Sequence, residues 1–261
     1  MPPCPAPFVI VCQPRTGSYH LASLLDSAPD LRCEGEVFKA GAHELSPALR
    51  DALPAAWQPV AARDADPMGF LGSLRGLSEA GGRALGFKLF VAHLQGRAAL
   101  RPGVLQNPGW RKLFLWRDPL SSYASLCRAR QTDIWTLRRD RERPPEALLH
   151  QPARFEPADF EEHMARLDRQ QQMQARLQAL AGNPVLAVHQ ETLNAPATQA
   201  RLLAFLGSRA TPGALQSHYL PQYAGTLEAG FANWGELQDW LARRPADAPG
   251  AALLAKAALP D

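Results

Sequence analysis

The 261-residue chain is poor in cysteine, nearly balanced in charge and free of long apolar runs, and each shortage removes a class of protein. Its four cysteines, Cys4, Cys12, Cys33 and Cys127, show no C-x-x-C spacing and fall short of a disulfide scaffold, so they read as free thiols. A formal charge of +3 is slight for this length, which argues against general nucleic-acid binding but permits a local basic cluster for a small anion. No stretch approaches the ~20 apolar residues of a bilayer-spanning helix, so no membrane span is expected. The opening MPPCPAPFVIV has no charged n-region and leads into a loop rather than a cleavage site, which predicts a cytoplasmic protein. His20, His43, His93, His150, His163, His189 and His218 form no H-E-x-x-H cluster, disfavouring zinc hydrolysis. A serine hydrolase would need a G-x-S-x-G elbow, which is missing. The Walker A pattern G-x-x-x-x-G-K-[ST] is also missing, because Ser18 stands where its Lys would follow Gly17.

What the chain does have begins at residues 8–27, FVIVCQPRTGSYHLASLLDS. An apolar run breaks at Pro14 into Arg15, Thr16, Gly17 and Ser18, then resumes with helical spacing. This reads as a strand, a turn and a helix over 18–27. The first N–H groups of such a helix have no carbonyl partner within it, and its dipole places positive charge where they point. Arg15 adds a forked cation suited to tetrahedral oxyanions, Gly17 permits close backbone approach, and Ser18 adds a donor. The bland alternative is an ordinary strand-to-helix turn with a surface arginine. A second pattern, KLFLWRDPLSSYASLCRAR, ends an apolar strand at Arg117 and starts a helix after Asp118 and Pro119. Ser125 follows about two helical turns later, in reach of a second anion at the carboxyl edge of a sheet.

Nearly half of the residues are apolar, enough for a substantial core, and the expected organisation is one domain over 1–261. Residues 31–38 read as extended. Residues 41–80 read as Ala-, Pro- and Gly-rich sequence with short helices near 47–53 and 70–77 and no evident chemistry. ALGFKLFVAHL at 84–94 reads as a buried strand interrupted by Lys88, a cation that needs a partner or a solvated ligand unless it snorkels to the surface. Residues 157–182 carry Phe160, Met164, Leu167, Met173 and Leu177 at helical intervals, with Gly182 as a stop. PVLAVHQETL then reads as a strand, and a helix ends at Gly207. Strands alternating with helices predict α/β structure with a central parallel sheet flanked by helices.

PRTGSYHL resembles the 5′-phosphosulfate loop, usually PRSGS or PKSGT, of sulfotransferases that use 3′-phosphoadenosine 5′-phosphosulfate (PAPS). Arg117 and Ser125, eight positions apart, resemble that family's 3′-phosphate site. VLAVHQETL…RLLAFLG, with Glu191 in the acidic loop, is similar to a later strand and helix of the family, and GFANWGELQDWL is similar to an N-W-x-E segment of many bacterial members. The resemblance implies a three-layer P-loop NTPase-like fold and transfer of a sulfuryl group from PAPS to a hydroxyl, or less readily an amine, without a metal. It implies that Arg15, Thr16, Gly17, Ser18 and Tyr19 bind the 5′ end of the donor and Arg117 with Ser125 the 3′-phosphate. Catalysis falls to Arg15, Lys88 and a base.

Two departures stand out. Phe90 replaces the catalytic His found two residues after the strand lysine in cytosolic members, and Tyr19 replaces a Thr or Ser, leaving only its backbone N–H certain for the loop and its side chain open to adenine or acceptor. Similarity of GEVF to bacterial carbohydrate sulfotransferases implies Glu36 as the base. Glu34 and His93 compete, and either carboxylate has a plain alternative in pairing with Arg32 or Lys39. Arg128, Arg130, Arg138 and Arg139 line an opening or form a solvated face, and Trp135 either contacts ligand or anchors its loop. Residues 41–80 and 138–156, where the likeness is weakest, are the expected acceptor-specific parts. The acceptor remains open among carbohydrate, lipid-linked sugar, phenol and natural-product hydroxyl, and the sequence does not fix the oligomeric state. A P-loop kinase and a non-catalytic nucleotide-binding protein are the alternatives.

Overall fold

The structure, a computed structural model, describes residues 5–141, 143–145, 148, 151–220, 226–251 and 254; Cys4 and His150 lie outside them. They group into two compact units, Met1–Trp116 with Met173–Ser217, and Arg117–Gln172 with His218–Asp261. No helix among the described residues is long and apolar enough to cross a membrane.

The first unit is built on strands β1 (Phe8–Cys12), β2 (Leu31–Glu34), β3 (Ala84–Phe90), β4 (Arg111–Trp116) and a later strand, Val185–His189. They form a five-stranded parallel sheet in which β1 lies centrally between β3 and β4, β2 borders β3, and Val185–His189 borders β4. FVIVC is apolar at every position because both of its faces are covered. Val9 and Val11 share a core with Leu49 of α2 (Pro47–Ala52), with Phe70 and Leu74 of a longer helix, Pro67–Ala80, and with Leu177. Phe8, Ile10 and Cys12 face the other way, toward Leu21 and Leu25 of α1 (Ser18–Asp26) and Leu202 and Leu206 of the helix Pro196–Leu206. Helix, sheet and helix thus make three layers, each fully buried Leu or Phe stabilising them by roughly 1.5–3 kcal/mol.

Several expected boundaries shift for identifiable reasons. The extended segment 31–38 is a strand only to Glu34, because the Gly35 N–H turns away to the Glu44 carbonyl, 3.1 Å. The 84–94 strand stops at Phe90 and becomes a 3₁₀ turn, Val91–Leu94. Residues 41–80 hold more helix than expected: α3 (Val60–Ala65) is added, and α4, the Pro67–Ala80 helix, starts where the Asp66 carboxylate caps the Gly69 N–H with Pro67 in the first turn.

In the second unit, α5 (Pro119–Thr132) is capped by Asp118, whose carboxylate accepts from the Ser121 N–H at 2.7 Å. Tyr123, Phe155, Phe160, Phe231 and Leu237 form its core. Here β5 (Leu137–Arg138) pairs antiparallel with Tyr219–Leu220, a two-residue ladder too short to read from the charged stretch around it. The N-W-x-E segment clamps this unit: Asn233 accepts from the Phe155 N–H at 2.8 Å and donates to the Phe155 carbonyl at 3.0 Å and to Glu236 at 2.7 Å. The long helix α6 (Pro157–Leu180) buries Phe160, Met164 and Leu167 as expected, but Met173 is 51% exposed. The stripe instead continues through Gln174, whose buried amide donates to the Leu115 carbonyl at 2.9 Å within the first unit. An amide with a backbone partner replaces a thioether as the buried contact.

Candidate active site

The carboxyl ends of β1, β2 and β3 lie side by side and present the first unit's chemistry. After β1 the chain turns through Gln13 and Pro14, and the Thr16 hydroxyl closes the turn by donating to the Gln13 carbonyl at 2.7 Å. Arg15 adopts φ 65° and Gly17 φ 75°, both in the left-handed region. For Gly17 the requirement is double, since an added Cβ would stand 2.7 Å from Gln190 Cγ. Gly17 then starts α1 and, having no side chain, supplies no cap to its first turn.

Lys88 pairs in register with Ile10 of β1 and is fully buried, which excludes snorkelling to the surface. Its backbone N–H donates to the Gly35 carbonyl at 3.1 Å, drawing the segment after β2 alongside. That contact sets Glu36 Oε1 3.3 Å from the Lys88 ammonium. The ammonium also stands 3.0 Å from the centroid of the Tyr19 ring and 5.5 Å from that of Phe90. Burial holds the Lys88 ammonium below the ordinary lysine value, opposed by the charges of Glu36 and Glu44.

Glu44, in a stretch where the sequence showed no chemistry, is the hub of the surroundings. One of its oxygens accepts from the Tyr19 hydroxyl at 2.8 Å and from the Glu36 N–H at 3.1 Å, and the other from Lys39 at 2.5 Å. Burial alone would raise its carboxyl, but hydrogen bonds from Lys39, Tyr19 and the Glu36 backbone outweigh it and hold Glu44 below the usual range. The buried Arg63 guanidinium donates to the carbonyls of Val37, Lys39 and Ala42 at 2.9, 3.1 and 2.7 Å, fixing the backbone between Glu36 and Glu44. Neither residue had a sequence signal, because both act through partners far away in the chain.

The three candidate bases now differ. Both oxygens of Glu34 are engaged by Ser46, through its hydroxyl at 2.8 Å and its N–H, and burial raises its carboxyl. The pairing weighed for Lys39 goes to Glu44 rather than to Glu34 or Glu36. His93 does face the site, its Nε2 lying 3.6 Å from Glu36 Oε2. Its Nδ1 accepts from the Phe90 N–H at 3.2 Å, which leaves the ring proton on Nε2. Burial, then the nearby positive charges of Arg97, Lys88 and Arg63, push it down to about 4. A neutral ring with its lone pair taken is poorly set to receive a proton, whereas the Glu36 side chain lies between Lys88, Tyr19 and His93.

Arg117 and Ser125 belong to the second unit: Arg117 directly follows β4 and is half-buried, and Ser125 is buried on α5. Of the arginines considered for an opening, Arg128 is partnered by the Gly230 carbonyl at 2.9 Å, Arg130 by Asp159 at 2.6 Å and Arg138 by Asp140 at 2.5 Å. Trp135 is exposed, its ring N–H on Asp133 at 3.1 Å, and Glu191 is exposed in the short turn Gln190–Thr192. Cys12, Cys33 and Cys127 are free thiols, and burial pushes Cys12 up to about 12.

No protein-family model matches the chain, and no curated protein matches it in sequence. Among solved structures it is similar to a sulfotransferase domain from the curacin biosynthetic pathway, with a TM-score of 0.53 and 15% identity over 97% of this chain and 96% of that one. The likeness is one of fold. The chain has the three-layer, parallel-sheet architecture of that domain, the P-loop NTPase-like fold expected from the sequence.

Proposed function

We propose that the protein is a sulfotransferase that moves a sulfuryl group from PAPS to a hydroxyl of a small-molecule or carbohydrate acceptor and releases adenosine 3′,5′-bisphosphate. The observation that carries this reading is the buried Lys88–Glu36 pair, 3.3 Å apart, beside the loop of Arg15 and Gly17. A cation and a carboxylate, held together next to an uncapped helix start, suit a reaction that removes a proton from one partner and leaves negative charge on the other.

The residues present fit an anionic donor: α1 lacks a side-chain cap, and a buried ammonium stands at the adjoining strand. Bound there, PAPS supplies a sulfur atom activated by its phosphate leaving group. Glu36 takes the proton of the acceptor hydroxyl as the acceptor oxygen bonds to sulfur and the sulfur–oxygen bond to phosphate breaks. Arg15 and the amides of Thr16, Gly17, Ser18 and Tyr19 stabilise the charge left on phosphate, and Lys88 adds a cation. Arg117 and Ser125 are assigned the 3′-phosphate on motif resemblance alone. No metal enters the scheme. The solved neighbour's place in a biosynthetic pathway favours a natural-product hydroxyl among the candidate acceptors.

Thermal unfolding with adenosine 3′,5′-bisphosphate, against ATP with Mg²⁺, tests the reading. Ligand at about 100 times its Kd stabilises by about 2.7 kcal/mol, a rise of roughly 5–10 °C in Tm. A response to ATP with Mg²⁺ in preference to the bisphosphate would instead favour a kinase, and no response to either rules out both.

A further inference from the structure

Tyr19, just after the loop, touches both members of the Lys88–Glu36 pair. Its ring lies 3.0 Å from the Lys88 ammonium, and its hydroxyl is 3.4 Å from Glu36 Oε1. The same hydroxyl donates to Glu44 at 2.8 Å, and Glu44 is tied in turn to Lys39 and to the Glu36 N–H. The ring therefore has little freedom: α1 fixes one end and Glu44 the other. A Thr or Ser at this position has no ring to offer a cation, so the contact is a property of this chain.

We infer that Tyr19, held by Glu44, is the positioning residue of the Lys88–Glu36 pair, keeping the ammonium charged and aimed at the carboxylate in a buried site before any ligand arrives. Its importance for transfer rests on the sulfotransferase reading, but the positioning does not. Desolvation works against the Lys88 charge, and the groups around it include Cys12 from β1, Glu36 and Glu44 from the segment after β2, and the face of Tyr19 from α1, with Phe90 farther off at 5.5 Å. Two of these, Glu44 and the ring, are joined by one hydrogen bond, so weakening it reaches Lys88 by both routes.

The chain has only four lysines, Lys39, Lys88, Lys112 and Lys256, so ¹³C-lysine labelling gives four side-chain ε signals, with Lys88 assigned by its loss in Lys88→Met. Protons over an aromatic face resonate upfield, and the Lys88 ε protons of the wild type should do so. Tyr19→Phe keeps the ring but deletes its hydrogen bond to Glu44, so it should reduce the upfield shift in part; Tyr19→Leu should abolish it and lower the Lys88 titration midpoint by about one to two units. Glu44→Gln should lower the midpoint too, by removing a nearby negative charge. A Tyr19→Leu protein that loses Tm but keeps the wild-type Lys88 shift and midpoint overturns the inference, since Tyr19 would then be packing alone. If the Lys88 signals behave as expected while adenosine 3′,5′-bisphosphate leaves Tm unmoved, the positioning stands and the sulfotransferase reading fails.

Discussion

Replacing Glu36 with Gln tests the charge balance of the site and its proposed chemistry together. The substitution keeps size and hydrogen-bonding capacity but leaves the fully buried Lys88 ammonium without the carboxylate 3.3 Å away. Removing one partner of a buried pair costs about 3–5 kcal/mol, and the remaining attraction of Glu44 brings the expectation below that range, to about 2–3 kcal/mol. For a protein of this size that is a loss of roughly 5–10 °C in Tm at pH 7. The deficit should depend on pH in a definite direction. Burial already sets Lys88 below its unfolded value, so between the two values the unfolded chain holds more protons and stability rises with pH. Glu36→Gln lowers the folded value further, so the deficit is largest near pH 7 and shrinks toward pH 10 as Lys88 loses its proton in both folded proteins. Differential scanning calorimetry of the two proteins across that range reads the effect. In parallel, the variant should bind adenosine 3′,5′-bisphosphate but release it from PAPS, with water as acceptor, at least tenfold more slowly than wild type. A Tm difference that is absent, or equal at pH 7 and pH 10, refutes the pairing; undiminished turnover refutes Glu36 as the base.

Arg15→Ala and Arg117→Ala should each weaken adenosine 3′,5′-bisphosphate by about tenfold to a hundredfold, the worth of one charged hydrogen bond, by isothermal titration; unchanged affinity in either removes that arginine from the site. Gly17→Ala combines a left-handed backbone with a Cβ 2.7 Å from Gln190, so it should cost about 1–2 kcal/mol for the backbone and more for displacing the amide. Adding Gln190→Ala should restore only the second part, and no restoration would mean that Gln190 yields freely. His93 is held neutral down to about 4, so it contributes stability above its unfolded value near 6.5 that is lost as pH falls through that window, about 3 kcal/mol in all. Urea unfolding of His93→Gln should show a flatter fall from pH 6.5 to 4, and a slope equal to wild type counts against a buried neutral ring.

The parts of the molecule written in consecutive residues were readable from the sequence. The all-apolar FVIVC, the break at Pro14 and the return of helical spacing in α1 announce a buried strand, a turn and a helix. A lysine inside GFKLF announces a charge needing a partner. What the sequence hid is formed by residues distant along the chain or offset by one position. Glu44 meets Tyr19 only after the chain has turned at Gly35, and His93 reaches Glu36 only because the strand gives way to a 3₁₀ turn at Val91. On α6 both Met173 and Gln174 fit a loose helical pattern, and hydrophobicity favours the wrong one; the Leu115 carbonyl, available to an amide donor, decides it.

Arg63 recognises oxygen atoms that every amino acid carries, so its hold on the stretch from Val37 to Ala42 is indifferent to the side chains there. Ala40 and Ala42 point into solvent on that stretch. A combinatorial library randomised at these two positions would therefore vary the surface near the carboxylate while its main-chain anchors stay put.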